Sequence, residues 1–269
     1  MIPQMTDPSH AREWNAAAYH QLSGPQVSWG KKVLARVRLR GNETLLDAGC
    51  GTGRLTADLL EALPEGKVVG VDLSKNMLDE AWHHLRPKFG KRVELVAADL
   101  QYLPFEHAFD GIFSTAAFHW VADHHRLFRS LFLSLRPNGW LIAQCGGGPN
   151  LARLRQRTDE LATTPKFARF FARFREPWVY NDAETAAEIL KSSGFANVET
   201  SLESAPTLLE DRQKYTEFVR TVILRQHLEV IPEAKLRDQF VAALAEQAAQ
   251  DDPPFLLDYW RLNLAGFAP

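Results

Sequence analysis

The chain has 269 residues, 45% of them hydrophobic and 24% charged, with a net charge of −2. That is the composition of a globular protein large enough to bury a core without a disulfide or metal staple. The near-neutral charge excludes any general attraction to nucleic acid or to an anionic membrane. Cys50 and Cys145 stand at no metal-ligand or redox spacing and read as reduced thiols of a cytoplasmic protein. Met1 to Trp14 is polar and lacks the apolar stretch of a signal peptide, and no run of about 18 apolar residues is present to span a membrane.

In chain order, two helical pieces come before any strand. Trp14, Ala17, Ala18 and Gln21 share one face; Val33, Leu34, Val37 and Leu39 suggest a second helix ending near Gly41-Asn42. Strands and helices then alternate. Thr44 to Asp47 is a short apolar run ending in an acid, and a helix from about Thr52 carries Leu55, Leu59 and Leu63. Val68 to Asp72 is a second strand, again ending in an acid. Ser74 caps a helix with the stripe Met77, Leu78, Ala81, Trp82 and Leu85. Val93 to Ala98 and Phe109 to Ser114 are the third and fourth strands. Asp123 caps a helix carrying Leu127, Phe128, Leu131, Phe132 and Leu135, and Pro137-Asn138-Gly139 turns into a fifth strand, Trp140 to Gln144. A helix from Asp182 stops at Gly194. Val198 to Leu202 and Leu256 to Ala265 read as the sixth and seventh strands.

Apolar strands alternating with amphipathic helices predict a doubly wound α/β fold, a mostly parallel seven-stranded sheet covered on both faces. The close spacing at the end of the chain predicts an antiparallel edge strand. Pro149 to Tyr180 and Pro206 to Asp252 look helical and are too long for ordinary loops, so they are expected to form a cap over one end of the sheet.

Ligands of such sheets bind outside the carboxyl ends of the strands. Asp47-Ala48-Gly49-Cys50-Gly51-Thr52-Gly53 lies there, with glycines that let the backbone approach a ligand and a helix N-terminus that can receive a carboxylate. Asp72, nineteen residues after Gly53, is placed to take both hydroxyls of a ribose. Asp99 and Leu100, after the third strand, can meet an adenine. Ribose, adenine and an amino-acid part together describe S-adenosylmethionine.

The string Leu45 to Gly53 resembles the glycine-rich first motif of class I S-adenosylmethionine-dependent methyltransferases. Val69 to Ser74 with Met77-Leu78 resembles their second motif. Ala97 to Leu100, Phe109 to Ser114 and Leu135 to Leu141 resemble the motifs that follow. Trp14-Asn15, Tyr19 and Ala117 to Val121 are similar to the branch that holds trans-aconitate, malonyl-thioester and juvenile hormone acid methyltransferases, whose members often methylate carboxylates.

The resemblance implies a Rossmann-like methyltransferase fold divided by role. Residues 1–42 would cover the cofactor site. Residues 43–148, 182–205 and 253–269 would bind S-adenosylmethionine, and 149–181 and 206–252 would form the substrate cap. It implies cofactor contacts from Asp47, Gly49, Gly51 and Gly53 near the methionine part, Asp72 at the ribose, and Leu73, Met77, Asp99 and Leu100 toward the adenine. Thr115 and Ala116 would lie by the methionine amino group, with Tyr19 closing over the cofactor. His119 is the candidate for orienting or deprotonating the acceptor, with Trp14 and Trp120 shaping its pocket.

The expected reaction is methyl transfer to an oxygen of a small molecule, a carboxylate above all, leaving S-adenosylhomocysteine. No metal is expected. One alternative is a non-catalytic S-adenosylmethionine-binding partner protein. Another is a nicotinamide-dependent oxidoreductase, against which Arg54 stands where the dinucleotide pattern wants a third glycine.

Three further features admit two readings each. Phe167, Phe170, Phe171, Phe174 and Trp178 form an aromatic stripe that reads as core, or as the lining of an apolar pocket. Residues 151–180 hold seven Lys/Arg and three acids, a difference of +4. That is a solvated face, or an attractor of an anionic substrate or acidic carrier protein. Asp252-Pro253-Pro254-Phe255 resembles the signature of methyltransferases acting on amino groups, which belongs after the fourth strand. At 252 it leads only into the last strand.

Overall fold

The computed structural model describes residues 13, 14, 16 and 24–269. The expected first helix and Tyr19 lie outside the described residues, apart from Trp14 and Ala16. The first helix fully within the described residues is α1, Gly24–Leu34. It stops short of Val37 and Leu39, which leave the helix but still pack against the core beside Val33.

Five parallel strands follow: β1 (Thr44–Ala48), β2 (Lys67–Asp72), β3 (Val93–Ala97), β4 (Phe109–Thr115) and β5 (Leu135–Gly146). Helix α2 (Arg54–Ala62) joins β1 to β2, α3 (Lys75–Phe89) joins β2 to β3, and α4 (His124–Ser134) joins β4 to β5. The caps are those the sequence predicts. The Ser74 hydroxyl accepts from Met77 N and the Asp123 carboxylate from Arg126 N.

After β5 the chain builds α5 (Ala152–Ala162) and α6 (Ala168–Phe171), then α7 (Ala183–Ser192) and β6 (Ala196–Ser204). Next come β7 (Thr207–Leu208), α8 (Arg212–Phe218), a π-helical turn at Val219–Ile223, α9 (Arg225–Glu229) and α10 (Ala234–Ala248). The chain ends with β8 (Leu256–Leu257) and β9 (Trp260–Phe267).

The seven-stranded sheet runs β3-β2-β1-β4-β5-β9-β6, so strand order reverses between β1 and β4. Two expectations are corrected here. The antiparallel strand is β9, and it is interior, pairing with β5 and with β6; the edge strand is β6, parallel to β5. Burial explains the placement, because β9 is buried along most of its length whereas β6 alternates half-buried with exposed positions. The predicted strand Leu256 to Ala265 is also two elements. Asp258 leaves the sheet, its carbonyl accepting from Leu151 N at 3.0 Å and its carboxylate from Arg153 N at 3.1 Å. As a result β8 pairs with β7 in a separate two-stranded ribbon.

Three apolar clusters hold the molecule. One joins a sheet face to α4 and α7 through Leu127, Phe128, Leu131, Ile189 and Leu190. Another joins the opposite face to α1, α2 and α3 through Val33, Leu59, Leu60 and Leu85. The third lies away from both faces and is built by the two long segments after β5, with Leu154, Phe167, Phe218, Val222, Phe240 and Leu244 at its centre. Each such side chain contributes about 1.5–3 kcal/mol on leaving water. Arg157 stitches the two segments together, donating to both carboxylate oxygens of Asp251 at 2.9 and 2.6 Å.

Candidate active site

A cavity of about 310 Å³ opens where the strand order reverses. One half is lined by strand ends, the other by the cap.

The strand-end half is organised by β1 and β2. Gly49 N and Cys50 N donate to Val71 O at 2.8 and 3.0 Å, and Gly51 N donates to Asp72 Oδ2 at 2.9 Å. Asp72 Oδ1 accepts from Ser74 N at 2.9 Å. One carboxylate therefore ties the glycine turn to the start of α3. Burial pushes the Asp72 carboxyl up from its ordinary value, against the pull of those amides. At Gly51, with φ +53°, an added Cβ would meet nothing within 4 Å, so the turn presents bare backbone to open space. Leu73 is 43% exposed at the rim, an apolar surface left uncovered by the protein. Asp99 and Leu100 line the same half, and Asp99 accepts from Gln101 N at 2.9 Å. Ala116 turns the chain after β4 with φ 55°, a strained value for a non-glycine residue.

Trp14, Gly49, Gly51, Asp72, Leu73, Met77, Asp99, Leu100, Thr115, Ala116, His119 and Trp120 all line this cavity. Two predicted residues do not. Gly53 begins α2 where an added Cβ would stand 2.7 Å from Leu85 Cδ1, so it serves the packing of α2 on α3. Asp47 sits 3% exposed beneath the turn and faces an adjoining hollow of about 60 Å³. It accepts from Thr56 Oγ1 at 2.6 Å, and burial pushes its carboxyl up to about 7.

The cap half begins at the turn Phe118–Trp120. His124 pins that turn, with Nε2 donating to Phe118 O at 3.0 Å and Nδ1 accepting from Asn181 Nδ2 at 2.8 Å. His119 is buried, and its Nδ1 accepts from Gly146 N at 3.3 Å. The remaining proton of the neutral ring therefore belongs on Nε2. Burial first, then the charges of Arg261 and His124, push His119 well below its ordinary value, so the ring is neutral near pH 7. Trp120 meets Trp14 edge-on at 5.4 Å and Trp178 at 5.9 Å. Trp14 also lies under the Arg225 guanidinium at 4.9 Å, and Trp14 N donates to Ser74 Oγ at 3.4 Å, so this residue bridges the cap and the strand-end half.

Sequence reasoning missed Asn150, Trp178, Tyr180, Tyr259 and Arg261 as cavity residues. Trp178 was placed in the aromatic stripe, and it belongs to both readings: it is part of the cap cluster and of the cavity wall. Arg261 carried a readable signal, the one charged residue of a largely apolar strand. Much of the basic run 151–180 is tied down: Arg153 and Arg157 pair with Asp251, Arg169 with Glu233, and Arg155 lies over the Tyr180 ring. Asp252-Pro253-Pro254-Phe255 does not line the cavity. No group of His, Cys, Asp and Glu among the described residues is arranged to hold a metal, and no described helix is long and apolar enough to cross a membrane.

A methyltransferase domain family matches residues 46–143. Trans-aconitate 2-methyltransferase of Azoarcus sp. is 30% identical over 246 residues, which cover 90% of each chain. The Deinococcus radiodurans enzyme of the same name is 30% identical over 69% of this chain and 67% of its own. The Enterobacter sp. one is 35% identical over 132 residues, so there the match spans about half of each chain. Among solved structures, a phosphoethanolamine N-methyltransferase of Haemonchus contortus, in complex with phosphomonomethylethanolamine and S-adenosylhomocysteine, aligns with a TM-score of 0.64 at 18% identity. It covers 100% of this chain and 61% of that one, and shares the fold.

Proposed function

The chain belongs to the class I S-adenosylmethionine-dependent methyltransferases, on the branch of the trans-aconitate 2-methyltransferases, and we propose that it methylates a carboxylate oxygen of a small acid. S-adenosylmethionine, when bound, supplies a methyl on positive sulfur, so that a C–O bond forms as the C–S bond breaks and the electron pair stays on a neutral thioether.

The strand-end half fits that cofactor. The bare backbone at Gly51 is a cradle that any Cβ would fill, and Leu73 offers an uncovered apolar face beside the Asp72 carboxylate. In this reading Asp72 accepts from ribose hydroxyls, and Leu73, Met77, Asp99 and Leu100 surround the adenine. The turn Gly49–Gly51 and the backbone at Thr115 and Ala116 receive the amino-acid part. Gly53 and Asp47 act from behind, by packing and by hydrogen bonding. Residues 149–181 and 206–252 form the acceptor cap.

One observation carries the carboxylate reading: among the described residues, the cap half holds no general base. His119 is neutral with its proton on Nε2, and the acids lining the cavity, Asp72 and Asp99, belong to the other half. An alcohol or an ammonium acceptor would need its proton removed. A carboxylate arrives ionised near pH 7 and needs only orientation and exclusion of water. His119 Nε2–H then orients the acceptor as a hydrogen-bond donor, between Trp14 and Trp120. The relatives point the same way, since the trans-aconitate in their name is itself a carboxylic acid.

The test is transfer of labelled methyl from S-adenosylmethionine into a metabolite extract, followed by solvent partition and mild base. Label that enters the organic phase and is released by base is the expected methyl ester. Base-stable label would discard the carboxylate.

A further inference from the structure

Taking the cap half as the acceptor chamber proposed above, we infer that His227, which lies outside the cavity, is a positioning residue: protonated and paired with Glu176, it holds the Trp178 wall of that chamber, and through it the fit of the acceptor.

His227 lies on α9 and is 2% exposed. Neither ring nitrogen has a hydrogen-bond partner. The Phe174 ring stands 4.5 Å away, Trp178 5.1 Å and Phe171 6.4 Å. Glu176 Oε1 lies 3.5 Å from Nε2. These surroundings suit one form of the imidazole. The neutral ring has an acceptor nitrogen, and nothing here donates to it. The protonated ring has a charge, which the Glu176 carboxylate pairs. The Phe174 and Trp178 rings attract it too, since both lie within the roughly 6 Å over which a cation acts on an aromatic ring. Burial acts against the charge, and the carboxylate and rings offset it.

Among the described residues, Glu176 is the one charged side chain within ion-pair distance of His227. On α9 itself, Arg225 and Glu229 pair with each other at 3.0 Å. Arg173 and Arg175, on the segment that carries Phe174 and Glu176, are exposed. Helix α10 meets that segment where Phe240 stacks on Phe171. Of its charges, Asp238 pairs with Arg220, and Lys235 and Arg237 make no contact with the imidazole.

Trp178 carries the effect inward. Its ring stacks on Tyr180 at 5.8 Å and meets Trp120 edge-on at 5.9 Å, and all three line the cavity. Tyr180 in turn faces His119 at 5.8 Å. A row of rings thus runs from His227 through Trp178 and Tyr180 to His119. While His227 is charged, Trp178 is gripped between it and Tyr180. Loss of the proton removes both the ion pair and the cation–ring attraction, and the wall loosens. The acceptor should then bind more weakly as pH rises, the opposite sense to a catalytic base.

The experiment follows tryptophan emission of the full chain between about pH 5 and 8.5, the range in which histidine titrates, for wild type, His227→Gln, Glu176→Gln and Trp178→Phe. An imidazolium in contact with an indole quenches its emission, and a neutral imidazole does so far less. Wild type should lose emission as pH falls, and His227→Gln and Trp178→Phe should lack that step. Glu176→Gln changes a side chain that is a third exposed and should show a reduced step; it decides the matter should His227→Gln fail to fold. Ester formation from trans-aconitate at saturating S-adenosylmethionine is measured over the same range. Wild-type KM should rise about three- to tenfold between pH 6 and 8 with kcat nearly constant, as the loss of one cation–ring contact implies. In His227→Gln that rise should be absent. No acid step in wild type, a step that persists in His227→Gln or Trp178→Phe, or a KM that ignores the step would overturn the role of His227. No ester from trans-aconitate would strike the acceptor reading alone, since the emission step decides by itself whether His227 grips Trp178.

Discussion

Asp72, at the tip of β2, accepts the amide of Gly51 at 2.9 Å, so the acid of the second strand and the glycine turn of the first act as one unit. The other Asp72 oxygen accepts from Ser74 N at the head of α3. A carboxylate in this position both shapes the turn and faces the cavity. On the proposed reading Asp72→Ala removes the charge-assisted bonds to a ribose, each worth about 1.5–3 kcal/mol, so S-adenosylhomocysteine should bind about 10- to 100-fold more weakly in a calorimetric titration. Unchanged affinity would take Asp72 out of the cofactor site.

Gly51 offers a cleaner probe of the same cradle. An added Cβ meets no protein atom within 4 Å, so Gly51→Ala introduces no clash in the unliganded protein. Its positive φ costs roughly 1–2 kcal/mol for a residue with a side chain. The variant should fold with a modestly lower thermal midpoint and lose cofactor affinity beyond that loss. Full cofactor affinity would mean that the bare backbone is not in contact with the ligand.

His119 distinguishes an orienting donor from a base. Gln carries an N–H at a position comparable to Nε2 but cannot abstract a proton at neutral pH. His119→Gln should therefore stay within about tenfold of wild-type kcat/KM, whereas His119→Ala should lose one neutral-to-charged hydrogen bond, about 10- to 100-fold. Because burial holds His119 well below its ordinary value, kcat/KM should show no histidine titration from His119 between pH 6 and 8. A base-limb inflection near pH 6.5 that His119→Gln abolishes would restore the general-base role.

Asp47 gives a prediction about stability. Its carboxyl titrates near 3.8 in an unfolded chain and about 7 in the fold, chiefly because burial disfavours the charge. Between those values the folded state holds a proton that the unfolded state has released. Stability is therefore fully favoured by this group below about pH 4 and falls as pH rises, by about 1.4 kcal/mol per pH unit, levelling off above pH 7. Asp47→Asn removes that slope and keeps an oxygen for the Thr56 hydroxyl. Urea midpoints of wild type and variant should converge near pH 4 and diverge toward pH 7, with the variant the more stable. Parallel curves would show that Asp47 does not titrate in this range.

The strand-end half was legible because its requirements are local. A glycine turn, acids at the ends of the first three strands and side-chain caps on α3 and α4 are written in nearby residues, so Gly49, Gly51, Asp72 and Asp99 could be placed by spacing. Gly53 shows the limit: its spacing matches the motif, but what decides its role is Leu85, 32 positions away, standing where its side chain would be. The cap half depends on residues distant in sequence. Trp178, Tyr180, Tyr259 and Arg261 converge on His119 only after the segments following β5 fold against one another. The interior position of β9 was hidden for the same reason. Strand order between β5 and β6 is set by which strand is buried on both faces, and local alternation does not report that.

The most direct measurement of the central claim is turnover of trans-aconitate with S-adenosylmethionine, comparing wild type with Asp72→Ala. Free S-adenosylhomocysteine and base-labile ester are quantified in the same samples. Wild type should form equal amounts of the two products, and Asp72→Ala should show a loss that rising cofactor concentration recovers. S-adenosylhomocysteine formed without any base-labile ester, or a methylated product stable to base, would contradict it.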